Sequence, residues 1–536
     1  MDNLPVGHQL SPWVIMGVVV GYFVLLIGVA WRTSRQASSN DFFTASRQSP
    51  WYVVAFGMIG TSLSGVTFIS VPGTVGAVFM NTELEQAPNM SFSYLQMVFG
   101  YVAGYAVIAL VLLPLYYRLQ LTSIYTYLEG RFGTRAYKTG AGFFLVSRVI
   151  GAAFRLYLVA MVLFLFVFEA MGVPFWAVAL LTIVLIWVYT FKGGIKTIVW
   201  TDTLQTFFML VAVVWTLYEL NNALFAAGLS PWETVKEAGL NQVFFLEGGW
   251  TDPNNFFKQF LAGMFIAIVM TGLDQDMMQK NLTCRTLKDA QKNVFTFSLV
   301  LVVVNFLFLV LGALLAVYAV TFQLDISRAD TLYPTIALEY LPTGVGLLFL
   351  IGLVAAAYSS ADSALTALTT SFCVDFLGFN VEGGTVEEEK MVAAEQVLDA
   401  PIASTTPEIE ENKKAIALRY RVHIGFSILL FLTIVLFWFI NDESVIVKLF
   451  KFAGYTYGPL LGLYGFGLLS KRHVADRWVP FICILAPVLT YIINANSAAL
   501  LFGYKFGFEL LLLNGLLTAI GLFLVSRKAS SASELE

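Results

Sequence analysis

The sequence predicts an all-α integral membrane protein with about thirteen transmembrane helices. Three observations carry the prediction. Composition is the first: 58% of the 536 residues are hydrophobic and 12% charged, against roughly 25% charged in an ordinary soluble domain, and the mean hydropathy is +0.77. Second, apolar runs recur along the chain, each near or above the ~20 residues that cross a hydrocarbon core as a helix. They fall at about 12–31, 51–80, 92–117, 139–171, 174–191, 197–228, 254–277, 291–322, 343–376, 416–440, 446–469, 478–495 and 506–526. Third, Lys and Arg alternate between the connecting loops as the positive-inside rule asks. With the N-terminus outside, the inner loops and tail hold most of the 31 basic residues, including Lys280, Arg285, Lys288 and Lys292. The outer side keeps only Lys236, Lys258, Arg328, Lys448, Lys451 and Lys505. A miscounted span would scramble this alternation, so a multi-pass protein of the cytoplasmic membrane is expected, N-terminus outside and C-terminus inside.

Taken in order, the first helix and an inner loop occupy 1–50, and the opening "MDNLPVGHQL" lacks the basic start of a cleavable signal peptide. The second span opens a block at 51–228 and reads "GMIGTSLSGVTFISVPG", with Gly57, Gly60, Gly65, Pro72 and Gly73 among Thr61, Ser62, Ser64 and Thr67. Such a centre weakens the helix and frees carbonyls, which a bilayer tolerates only where something satisfies them. In the fourth span Arg155 lies near the middle, and Arg148 lies two turns towards the cytoplasm on the same face. A guanidinium does not readily discharge, so a midplane Arg needs an acceptor. Two readings stay open for Arg155: a structural pair with Asp202, Asp274 or Asp276, or a bidentate clamp on an acidic solute. The sixth span begins "WTDTLQ", which puts Asp202 near its inner end as an interfacial cap or an ion ligand.

An outer loop at 229–253 mixes aromatics with Gly and Pro and is expected to fold over the mouth. A second block spans 254–470 and includes the acidic, aromatic-poor inner segment 379–415, read as a disordered tether. Two further helices and a short inner tail complete 471–536. The ninth span holds "AAAYSSADSALTALTTSF", where Ser359, Ser363, Thr366 and Thr370 share one helical face flanked by Ser360 and Asp362. Hydroxyls glue membrane helices together, but an intramembrane carboxylate usually faces a partner or a wet cavity. Hydroxyls plus a carboxylate suit a hard monovalent cation such as sodium. Cys284, Cys373 and Cys483 are scattered, as are His8, His423 and His473, so the sequence offers no disulfide framework, metal cluster or nucleophile–base pair. A transporter rather than an enzyme is expected. Its partners would be a small solute, sodium and the bilayer, with no organic cofactor, nucleic acid or protein partner implied.

The stretches "DFFTASRQSPWYVVAFGMIGTSLSG", "SIYTYLEGRFG", "FKGGIKTIVWTDTLQ", "GLDQDMMQKNL" and "AAAYSSADSALTALTTSFCVD" resemble, in this order, the sodium:solute symporters that transport glucose, proline or sialic acid. The resemblance covers roughly 12–470. It implies a LeuT-type fold, two inverted five-helix repeats made of the second to sixth and seventh to eleventh spans, with one extra helix before and two after. It also implies a principal sodium site built from the carbonyls of Gly60, Leu63 and Ala356 and the hydroxyls of Ser359 and Ser360. A second sodium site, which some relatives have, would fall on Ser359, Asp362, Ser363 and Asp202, with Asp362 standing where those relatives have a hydroxyl residue. Arg155 falls where sialic-acid transporters carry a carboxylate-binding Arg, and Ser62, Ser64 and Thr67 resemble the polar residues of their broken helix. Thr67, Leu95 and Asp274 stand where galactose transporters have Gln, Glu and Asn, and Asp274 joins Ser62, Ser64, Thr67 and Arg155 as the expected substrate-binding set. The implied function is sodium-driven import of a sugar acid such as sialic acid by alternating access. A neutral sugar or polyol as solute, proton coupling, and a channel or sensor are the alternatives.

Overall fold

A computed structural model describes residues 11–34, 45–80, 90–190, 194–326, 328–379, 406–440 and 445–528. The elements follow one another as α1 (Pro12–Ser34), α2 (Trp51–Ser62), α3 (Gly65–Val75), α4 (Tyr94–Arg118), α5 (Thr126–Phe132) and α6 (Thr134–Met171). Then come α7 (Phe175–Thr190), α8 (Gly194–Ala226), α9 (Pro231–Glu237), α10 (Phe256–Gly272), α11 (Gln275–Asn281) and α12 (Leu287–Thr321). The last are α13 (Thr343–Phe376), α14 (Thr406–Ile440), α15 (Val445–Thr456), α16 (Gly458–Leu469), α17 (Val479–Ala495) and α18 (Leu510–Leu524). Among the described residues, eight helices are long and apolar enough to cross a membrane, or up to ten if each bent pair is one span, and three further apolar helices are shorter. The sheet content is a two-residue ladder pairing His473–Val474 with Ser526–Arg527.

Burial separates a centre from a belt. The most apolar stretches of α13 and α6 are 78% and 72% buried, whereas those of α1 and α17 are 28% and 22% buried and present their apolar side chains outwards, as lipid-facing helices do. Two spans in the centre are broken. Between α2 and α3 the chain bends by 55° and between α10 and α11 by 71°. The first break falls at Leu63 and Ser64, inside the Gly- and Ser-rich stretch that the sequence singles out.

The second break corrects the reading of 254–277 as one continuous span. Asp274 ends α10 and caps α11, its Oδ1 accepting from the amides of Asp276 at 3.0 Å and Met277 at 3.5 Å. The cap redirects the chain, so α11 runs through the protein interior. Lys280, assigned from sequence to an inner loop, is buried there at 1% exposure. Two other expectations meet the structure. The segment 229–253, expected on the outer side, contains α9 and docks on the start of α4, through Phe92 N to Gln242 O at 3.0 Å and Phe245 N to Gln96 Oε1 at 3.1 Å. Most of the acidic tether, 380–405, lies outside the described residues, while α14 begins at Thr406 and so takes the end of that segment into a helix.

Candidate functional site

The first break is built by close approach. A Cβ on Gly57 would meet Asp202 Cβ at 3.1 Å and Val199 O at 3.3 Å, and one on Gly60 would overlap Thr206 Oγ1. Only glycine lets α2 lie this tightly on α8 at these two positions. Where α2 stops, its last carbonyls lose their i+4 amides, and α13 supplies replacements. Ser360 Oγ donates to Thr61 O at 3.0 Å, and Thr61 Oγ1 lies 3.2 Å from Ser359 Oγ. The structure therefore brings Gly60, Ser359 and Ser360 to one place, with Leu63 at the end of α2 and Ala356 one turn back on α13. Thr206 Oγ1 is buried beside Gly60 without a hydrogen-bond partner. Carbonyls freed at a helix end and hydroxyls, with an oxygen left unpartnered, fit a hard monovalent cation.

A narrow cavity of about 80 Å³ adjoins this break. Ser62, Ser64, Thr67 and Arg155 all line it, and so do Tyr94, Tyr101, Tyr105, Thr271 and Asn305. Arg155 reaches it from α6, whose turn packs on the start of α3: a Cβ on Gly65 would lie 3.0 Å from Val159 Cγ2 and 3.7 Å from Arg155 O. Arg155 is buried, its Nε has no hydrogen-bond partner, and among the described residues no carboxylate lies within ion-pair distance of it.

The acids considered as partners for Arg155 are engaged elsewhere. Arg148 forms ion pairs with Asp276 and with Asp274, the latter at 3.7 Å. Tyr457 donates to Asp274 Oδ2 at 2.5 Å and Ser363 to Asp276 Oδ2 at 3.3 Å. Asp274, expected in the substrate set, thus faces Arg148 and Tyr457 and is not among the residues lining the cavity. Asp202 pairs with Lys280 at 2.6 Å and accepts from Thr61 Oγ1 at 3.0 Å. Asp362 Oδ1 accepts from the Ser363 amide at 2.5 Å, and Ser363 Oγ donates to Ser359 O at 2.9 Å.

Sequence reasoning missed Lys280, Tyr101, Tyr105, Thr271 and Asn305. A signal existed for the tyrosines, since Tyr94, Tyr101 and Tyr105 are spaced seven and four and share a helical face.

Comparison with known proteins bears on this geometry. The profile of the sodium:solute symporter family matches residues 42–399, well over half of the chain. The chain belongs to the sodium:solute symporter family. Its activity is accordingly sodium-coupled symport. Among curated relatives of this symporter, the sodium/sialic acid symporter NanT of Aliivibrio fischeri is 24% identical over 92% of the chain and 90% of the relative. The sodium/sialic acid symporter SiaT of Proteus mirabilis is 24% identical over 86% of each, and the sodium/glucose cotransporter of Vibrio parahaemolyticus 25% over 70% of each. A solved Na+-coupled sialic acid symporter, substrate-bound and outward-open, superposes with a TM-score of 0.74 at 20% identity, covering 96% of this chain and 99% of the other. That likeness shows the fold alone, an all-helical bundle.

Proposed function

We propose that this symporter imports an acidic solute of the sugar-acid class, sialic acid being the lead candidate, together with sodium bound at the first helix break. The observation that carries the reading is Arg155, a buried guanidinium at a polar cavity with no carboxylate of the described residues within ion-pair distance. Buried cations that serve structure alone are paired, as Arg148 and Lys280 are. A guanidinium without an internal acid presents a fork of donors to a carboxylate brought by the solute. Ser62, Ser64 and Thr67 supply hydroxyls on the same cavity, and two sialic acid symporters among the relatives support the same solute class.

Sodium would be held by the carbonyls of Gly60, Leu63 and Ala356 and by Ser359 and Ser360. Those ligands span α2 and α13, so binding draws the two helices together and fixes the polar end of the break that lines the cavity. Coupling follows only if sodium and solute favour the same arrangement, because a ligand with equal affinity for two states shifts neither. One sodium carried with a monoanion moves no net charge, and a tenfold sodium gradient then provides ~1.4 kcal/mol. A second sodium would move one charge inward, adding another ~1.4 kcal/mol for the gradient and ~2.3 kcal/mol per 100 mV.

Thirteen spans with an outside N-terminus, in two inverted five-helix repeats, complete the proposal. Support comes from the paired breaks, α2/α3 and α10/α11, which would open the two repeats in corresponding places. Uptake by protein reconstituted in liposomes tests the function. An inward sodium gradient should drive accumulation of labelled sialic acid, and potassium in its place should not. Accumulation of glucose or galactose in preference to any acid would discard the solute class, and accumulation driven by a proton gradient without sodium would discard the coupling.

A further inference from the structure

The residues matched to a second sodium do not fit one. Asp202 is one of the two carboxylates of that set, and its Oδ2 is already held by the ammonium of Lys280 at 2.6 Å. The same ammonium contacts Thr61 Oγ1, which donates to Asp202 at 3.0 Å and lies 3.2 Å from Ser359 Oγ. An ammonium group is a compact monovalent cation that seeks the oxygens sodium seeks. Ser363 and Asp362 are engaged within α13 and with Asp276. Ser363 Oγ donates to Ser359 O and Asp276, and Asp362 accepts from the Ser363 amide. A sodium arriving at Asp202 would lie against a like charge in a dry site, where water cannot screen the repulsion.

We propose that Lys280 is a built-in cation that takes the place of a second sodium at Asp202, so that each chain binds one sodium ion, at the first break. The inference rests on the sodium-symport reading and adds to it the ion count. Lys280 is tethered to α11, so its charge stays with the protein through the cycle while the bound sodium leaves. It also ties the helix after the second break to α2 and α8 at the first, which places the two breaks under one ionic contact.

The test is a count of bound ions, made on purified full-length protein with radioactive sodium and no solute present. Wild-type protein should saturate at one ion per chain with a Hill coefficient of one. Lys280→Arg should keep that count. Lys280→Gln frees Asp202 and Thr61 and should raise the count to two, and Lys280→Gln combined with Asp202→Asn, which leaves no unpaired charge, should return it to one. Two ions bound to the wild type would overturn the proposal by itself, whether or not any variant folds. A folded Lys280→Gln protein that still binds one ion would overturn it as well. A wild type that binds no sodium would instead remove the symport reading on which the proposal rests, and the solute plays no part in either result.

Discussion

The two helix breaks are made differently. At the first, between α2 and α3, the chain yields through glycine and serine, and its freed carbonyls meet uncharged hydroxyls from α13. At the second, between α10 and α11, one carboxylate caps the new helix, and Arg148 pairs with both Asp274 and Asp276. Lys280 touches the first break through Thr61 and Asp202, but the break's carbonyls and the Ser359 and Ser360 hydroxyls stay neutral and can receive a mobile ion. Carboxylates already matched by arginine and lysine cannot, and they fix geometry instead. The two arginines of α6 repeat the contrast: both line the cavity, but Arg148 is ion-paired to the carboxylates of the second break and Arg155 is not.

Substitutions can break this contrast from either side. The largest effect is expected at the second break. Arg148→Leu leaves Asp274 and Asp276 buried without their cation, which costs about 3–5 kcal/mol, and thermal denaturation of the purified protein should register a loss of stability that Arg155→Leu does not produce. Arg155→Ala should act on the solute instead, since removing one side of a buried charged contact costs roughly 2–5 kcal/mol of binding. Calorimetry should show affinity for the acid falling about 30-fold or more with sodium binding retained. If Arg155→Ala were the less stable protein and Arg148→Leu the one that lost solute, the roles assigned to the two breaks would be reversed.

Smaller effects sharpen the picture. Ser359→Ala and Ser360→Ala each take one neutral oxygen from the first break, and the sodium concentration for half-maximal uptake should rise about tenfold, or ~1.4 kcal/mol, while solute selectivity stays the same. Asn255 caps the N-terminus of α10, accepting from the amides of Phe257 at 3.0 Å and Lys258 at 3.4 Å. Asn255→Ala should cost ~1 kcal/mol of stability and leave sodium affinity unchanged in the same uptake assay, because that cap lies far from both breaks.

The first break was legible in the sequence because its cause is local: glycines, serines and a proline packed into one apolar run. So was the polar face of Ser359, Ser363, Thr366 and Thr370, through its helical spacing, whereas Ser360 as a ligand and Arg155 as a clamp came with the family resemblance, the midplane guanidinium alone leaving a structural pair equally open. The second break was not. "MTGLDQD" has one glycine and no proline, and what bends it is a cap stabilised by an arginine from a distant helix. Lys280 was misplaced for a related reason. The positive-inside rule counts a lysine by its distance from an apolar run, and Lys280 lies just past one, yet its ammonium is buried against Asp202, a partner that only tertiary structure reveals. Asp274 was drawn into the substrate set by its place in the sequence, whereas its carboxylate holds the α11 cap and Arg148.

The central claim, that sodium at the first break prepares a site where Arg155 receives an acid, is tested most directly by equilibrium binding. Affinity of the purified protein for sialic acid should be measured calorimetrically in sodium and in potassium, for the wild type and Arg155→Ala. Linkage requires that sodium and solute raise each other's affinity by the same factor. The account predicts at least tenfold tighter binding of the acid in sodium, and loss of that binding in Arg155→Ala. Equal affinity in the two salts, or an Arg155→Ala protein that binds the acid as the wild type does, would contradict it.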